Sequence, residues 1–188
     1  MSRSDELTAQ RAAAAANNEE YAEPADGFPQ CNTGAPLPHV IADGYRTILT
    51  YLVAEHDPKW DGTYVTVKDP ASGATESIAI TEFELARAST LGPPNDEALS
   101  GHRLWGRGLT FYAAHRVVNS TWIGELEQRN RVHPQHKPSL FSGLTHYLFT
   151  FHDETFECIA RSHNADVVTG TYPGVLHDAV GRLTRRHG

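Results

Sequence analysis

Cysteine is scarce in this 188-residue chain: Cys31 and Cys158 stand alone, beside a single methionine. Two thiols are too few for a disulfide scaffold or a cysteine-based zinc knuckle. No stretch approaches the roughly 18–20 apolar residues of a membrane span. The polar opening MSRSDELTAQ lacks the apolar run of a secretory signal. Basic residues are in deficit, with 16 Lys and Arg against 23 Asp and Glu and a net charge of −7. That balance argues against a nucleic-acid surface as the main function. There is no internal repeat and no Gly-rich phosphate loop, since Gly106-Arg107-Gly108 lacks the strand-turn-helix setting of a dinucleotide fingerprint. The expectation is a cytoplasmic protein with neither nucleic acid nor membrane as partner. Hydrophobic residues, at 39%, are sufficient for the core of one domain.

Residues 1–26 differ from the rest. They hold an alanine run from Ala12 to Ala16, one aromatic, and six acids against two bases, so −4 of the total −7 lies here. Ala, Glu and Gln favour helix, but little apolar periodicity offers a core any grip. These residues read as a flexible or frayed-helical N-terminal arm, and 27–188 as a single α+β domain. A Pro- and Gly-bearing connector, Pro24 to Pro38, joins the two.

Within the domain, Tyr45–Ala54 is rich in β-branched and aromatic residues and favours strand. Asp57-Pro58 and Asp61-Gly62 mark turns. Thr63–Lys68 alternates, and so does Glu76–Phe83, with a short turn between them that predicts an antiparallel pair. Leu91–Gly108, with two prolines and four glycines, reads as a loop of a length often tied to function. Leu109–Val118 reads as a strand. Asn119 and Ser120 cap a helix with the stripe Trp122, Ile123 and Leu126, which runs to about Arg131. A short helical turn follows within Pro138–Leu144. Thr145–Phe151 and Thr155–Ala160 form a hairpin with Tyr147, Phe149 and Phe151 on one face and Phe156, Cys158 and Ala160 on one face of its partner. Pro173 opens a last helix, closed by Arg185-Arg186-His187. About six strands, two or three packing helices and no βαβ alternation predict α+β with an antiparallel sheet.

The long loop carries the chemistry best. Asp96 and Glu97 sit beside Ala98 and Leu99, with His102, Trp105, Arg107 and Tyr112 downstream. A carboxyl held against apolar walls has its charged form disfavoured, and its pKa moves toward neutrality. Such a group donates a proton in one step and accepts one in the next. A bland alternative is an Asn-Asp helix cap with an exposed glutamate. A metal site from His133, His136, His146, His152 and Asp153 is a weaker reading, since no fixed ligand motif supports it, and no metal is expected. Cys158, mid-strand among apolar residues, reads as an inert thiol. Serine-hydrolase chemistry lacks a Gly-x-Ser-x-Gly elbow.

The segments ProAsnAspGluAla at 94–98, AsnSerThrTrpIle at 119–123, AsnArgValHisPro at 130–134 and PheHisAspGluThrPheGluCys at 151–158 resemble a small bacterial family of β-carboline-forming Pictet–Spengler cyclases. The resemblance spans about residues 40–162. It implies a glutamate acid/base in the loop, which Glu97 matches, with a basic residue near the substrate carboxylate and a histidine in the pocket. Arg87, His102 and Arg107 are candidates for these last two roles from local chemistry alone. It also implies a cofactor-free condensation of L-tryptophan, or a related indole amine, with a small aldehyde. Aromatic walls would hold the indole and shield the iminium ion from water, and Trp105, Tyr112 and Phe149 are candidates for them. The competing reading is a protein-binding or regulatory module using the same aromatics as an interface. A homodimer through an exposed sheet edge fits either reading.

Overall fold

The computed structural model describes residues 2–54, 68–71 and 73–184. The first helix starts where a reciprocal cap allows it. The Asp5 N–H donates to the Ser2 hydroxyl, and the Ser2 N–H donates to the Asp5 carboxylate. From there the chain runs α1 (Arg3–Ala16), β1 (Tyr21–Pro24), β2 (His39–Ala42), β3 (Arg46–Leu52), β4 (Thr75–Glu84), β5 (Ala88–Gly92) and β6 (Ala114–Val118). It continues through α2 (Thr121–Asn130), β7 (Thr145–Thr150), β8 (Thr155–Ala160), β9 (Ser162–Thr171) and α3 (Tyr172–Thr184). One-turn 3₁₀ helices occupy Leu99–Gly101 and Pro138–Leu140. No helix among the described residues is long and apolar enough to cross a membrane.

The fold is α+β, with two antiparallel sheets ordered β1-β6-β7-β8-β5 and β2-β3-β4-β9. The described residues thus form nine strands rather than about six. The additional ones are β1, β2, β5 and β9, which are short or largely polar. Ten-residue β9 owes its place to pairing along the whole of β4, from Thr75↔Thr171 to Glu84↔Ser162. Glu76–Phe83 is therefore flanked by β3 and β9. The expected strand Thr63–Lys68 lies outside the described residues apart from Lys68, as do the turns near Asp57 and Asp61 and the closing Arg185-Arg186-His187.

The inner faces of the two sheets meet in an aromatic core of Tyr51, Phe83, Tyr147, Phe149, Phe151 and Phe156, with Leu49, Ala79, Cys158 and Ala160 between them. The hairpin faces read from the alternation hold, because only one face of β7 and β8 points at the other sheet. β3 does not alternate in polarity because it is buried on both sides. Its opposite face, Ile48 and Leu52, joins Ile78 and Ile80 under Tyr172, Val175 and Ala179 of α3. The outer face of the five-stranded sheet is closed by the loop between β5 and β6. That loop seats Leu99, Leu104 and Leu109 on Ala22, Val117 and Leu148.

Two expectations change here. Residues 1–26 are not an arm apart from the domain: β1 extends the sheet from Tyr21↔Val118 to Pro24↔His115, and Ala14 and Ala22 are buried. Polar bonds replace the missing apolar stripe. Arg11 donates to the carbonyls of Ala22 and Gly108, and Gln10 accepts the Gly108 N–H. Gly108, at φ +89°, is required for this approach, since a Cβ there would lie 2.2 Å from the Ala22 carbonyl oxygen. Secondly, only Ala114–Val118 of the expected strand Leu109–Val118 is extended. Tyr112 adopts φ +52°, which breaks the strand while the loop folds back over the sheet.

Candidate functional site

The loop's first turn is built by Asn95, whose side-chain oxygen accepts the Ala98 N–H, and is anchored by Leu99, 1% exposed. The Asp96 N–H donates to the His152 carbonyl at 2.9 Å, tying the loop to the β7–β8 hairpin. This bond decides which of the two acids turns inward. The Asp96 carboxylate accepts a short hydrogen bond from the Tyr112 hydroxyl and lies 2.8 Å from His152 Nδ1. The His152 and Tyr112 rings stack with centroids 6.4 Å apart. The Tyr112 bond holds the Asp96 carboxyl below its usual range, against some desolvation and with help from His152. Burial, reinforced by the Asp96 carboxylate, pushes the Tyr112 hydroxyl up to about 12. The His152 side chain is 44% exposed, so one imidazole face is oriented by a carboxylate while the ring remains open to solvent.

Tyr112 links this dyad to a partly open cavity. Its ring lines a cavity of about 200 Å³ shared with Phe28, Cys31, Tyr51, Phe149 and Phe151. The connector 24–31 forms one wall, fixed by the Tyr51 hydroxyl on the Pro29 carbonyl and the Gln30 amide on the Tyr112 carbonyl. Beyond it lies a second cavity of about 300 Å³, with Pro24 and Ala25 common to both, lined by Asp26, Arg116, Thr145, Tyr147 and His163. Arg116 is paired with Glu23, and His163 bonds the Tyr147 hydroxyl while stacking on Phe28 at 4.1 Å.

The expected site residues divide. Tyr112 and Phe149 line the ring-walled cavity. Glu97 is exposed on the turn beside Asp96, not pressed against aromatic rings. Arg87 is exposed, its N–H on the Ile159 carbonyl. Trp105 is 43% exposed, edge-on to Phe111 and near α1, and Arg107 pairs with Glu19 at 3.3 Å. His102 lies under the loop on the outer face of the five-stranded sheet, 3.8 Å from Glu157. The physical reason is common to Trp105, Arg107 and His102. The loop caps the outer face, while the cavity lies between the sheets. The alternative metal ligands do not meet either: among the described residues no group of three or more His, Cys, Asp or Glu converges for an ion.

The outer face has its own polar layer. Glu157 accepts both terminal nitrogens of Arg103 at 3.1 and 2.7 Å and faces His146 Nε2 at 2.8 Å. Burial pushes the Glu157 carboxyl up, but bonds from His102, His146 and Arg103 and the Arg103 charge outweigh it and hold it far below the usual range. Arg103 also reaches Glu20, which accepts the Thr121 N–H. His115 is 1% exposed and takes the Thr110 N–H at Nε2.

His115 makes stability pH-dependent. Desolvation, aided by the charges of Arg11 and His102 and opposed by backbone bonds, pushes its pKa down to about 4. In the unfolded chain the imidazole titrates near its ordinary value of about 6.5. Between these values the unfolded state takes up a proton that the folded state refuses, so stability is complete above the upper value and falls as pH drops. The expected loss between about pH 7 and pH 5 is about 2 kcal/mol in urea unfolding. A flat response over that range in the wild type, or an unchanged slope in His115→Asn, contradicts the assignment.

Asp96 and His152 stood in view in the sequence, but nothing local told Asp96 from Glu97 as the inward acid. Arg116 and His163 gave no signal at all, because their meeting depends on which strands are neighbours. Comparison of the chain with family models, curated proteins and solved structures finds no match.

Proposed function

We propose that the chain is a cofactor-free Pictet–Spengler cyclase that condenses L-tryptophan or a related indole amine with a small aldehyde. One observation carries the reading: a carboxylate-oriented imidazole, Asp96–His152, is joined through Tyr112 to a ring-lined cavity. The amine adds to the aldehyde to give a carbinolamine. Protonated His152 gives its proton to the departing hydroxyl, and water and an iminium ion result. The indole carbon attacks the iminium carbon, and neutral His152 removes the proton from the former aromatic carbon. Amine and aldehyde thus become one ring and one water. Asp96 holds the imidazole and stabilises its cationic form.

Glu97, beside the dyad and open to solvent, is proposed to exchange protons with it from the outer side. Arg116, in the adjoining cavity, is better situated than Arg87 or Arg107 for the substrate carboxylate. The proposed setting is cytoplasmic, with small molecules as partners and a two-fold dimer as assembly.

The test incubates purified protein with L-tryptophan or tryptamine and acetaldehyde and follows the ring product by mass spectrometry. Formation above the uncatalysed rate is expected, with at least a tenfold loss in Glu97→Gln and Glu97→Ala. Full turnover in both variants removes Glu97 from the chemistry. No product above background from any indole amine and aldehyde pair removes the cyclase reading.

A further inference from the structure

Outside that site, three side chains from separate segments form a hydrogen-bonded relay. Ser120 Oγ lies 2.8 Å from His146 Nδ1, and His146 Nε2 lies 2.8 Å from Glu157 Oε2. The hydroxyl already accepts the Ile123 N–H as the N-cap of α2, which leaves its own proton for His146. A carboxylate on Nε2 fixes the tautomer with that nitrogen protonated and Nδ1 free to accept. A nucleophile bonded to a base that a third group orients is the arrangement that activates a hydroxyl. The imidazole is fully buried, with the Trp122 ring edge-on at 5.3 Å, whereas Ser120 is only partly covered. The orientation of the base is thus set by packing, while the serine that it faces is only half-buried. Ser120 also stands at the start of a ten-residue helix, where the dipole favours negative charge developing on the oxygen.

We infer that Ser120 is a nucleophile toward small activated acyl or phosphonyl groups, with His146 as its base and Glu157 as the group that positions the base. The Ser120 oxygen attacks the acyl carbon of a short ester, and its proton passes to His146 Nδ1. The ester bond breaks, the alcohol leaves with that proton, and an acyl-serine remains for water to hydrolyse. The partial burial of Ser120 suits a group as small as acetyl. This activity is independent of the cyclase reading, because the relay occupies the outer face of the sheet and the Asp96–His152 dyad lies at the β7–β8 hairpin.

The experiment treats the full chain with a fluorophosphonate and, separately, with 4-nitrophenyl acetate. One phosphonyl group per chain, mapped to the peptide holding Ser120, is expected, together with a burst of nitrophenol approaching one equivalent. Ser120→Asn retains a good N-cap but has no nucleophile, so it should fold and show neither label nor burst. An unlabelled wild-type chain overturns the proposal, as does equal labelling of Ser120→Asn.

Discussion

Glu157→Ala is expected to destabilise the fold by about 3 kcal/mol, the low end for removing one partner of a buried ion pair. The glutamate touches the loop through Arg103 and His102 and the sheet through His146, so its loss frees the loop and leaves a buried imidazole without an acceptor. The loss stays at that low end because the Arg103 side chain is 39% exposed and water screens part of its charge. Glu157→Gln keeps the volume and one acceptor and should cost less, about 2 kcal/mol. The pH sign follows from the depressed carboxyl. Its contribution is present above the unfolded glutamate value, about 4.3, and is lost as pH falls below it. In Glu157→Gln that acid limb should flatten, while the His115 limb, which lies higher in pH, should persist. Urea unfolding at several pH values measures both, and an alanine variant within about 1 kcal/mol of wild type would show that the clamp is not what seats the loop.

A loss of about 10²- to 10⁴-fold in cyclisation is expected for His152→Asn, the range for removal of a positioned acid–base group. Asp96→Asn should follow it closely. The amide retains the shape of the turn and the Asp96 N–H bond to the His152 carbonyl, yet carries no charge to stabilise the imidazolium. Tyr112→Phe should cost less, about tenfold, because it removes one bond to Asp96 and leaves the ring in the cavity wall. Measured kcat with tryptophan and aldehyde, alongside unchanged circular dichroism, distinguishes lost chemistry from lost structure. Turnover near the wild-type rate in both His152→Asn and Asp96→Asn would move the chemistry away from the dyad.

The fate of Glu97 shows how far local reading reaches. Two adjacent acids in a turn have equivalent neighbours in sequence, and either satisfies a pattern that asks for an acid before an aromatic segment. The choice is made by a backbone bond across 56 positions, from Asp96 to His152, which exists only once the hairpin is folded. The same holds for the outer face. His102, His146, Glu157 and Ser120 come from four segments, with no motif to announce them, and burial under the loop turns scattered polar residues into one network.

Sequence alone was enough to determine the α+β class, the alternation that puts Tyr147, Phe149 and Phe151 on one face of β7 and Phe156, Cys158 and Ala160 on one face of β8, the capped start of α2 and the irregular loop after β5. Each of these depends on residues within a few positions of one another: turn formers, β-branched runs and N-caps. Tertiary structure alone decided the docking of residues 2–24 onto the sheet, the polar strand β9 and which acid meets His152. Those outcomes depend on what lies opposite a residue after folding, and hydrophobic periodicity carries no record of a partner held by hydrogen bonds.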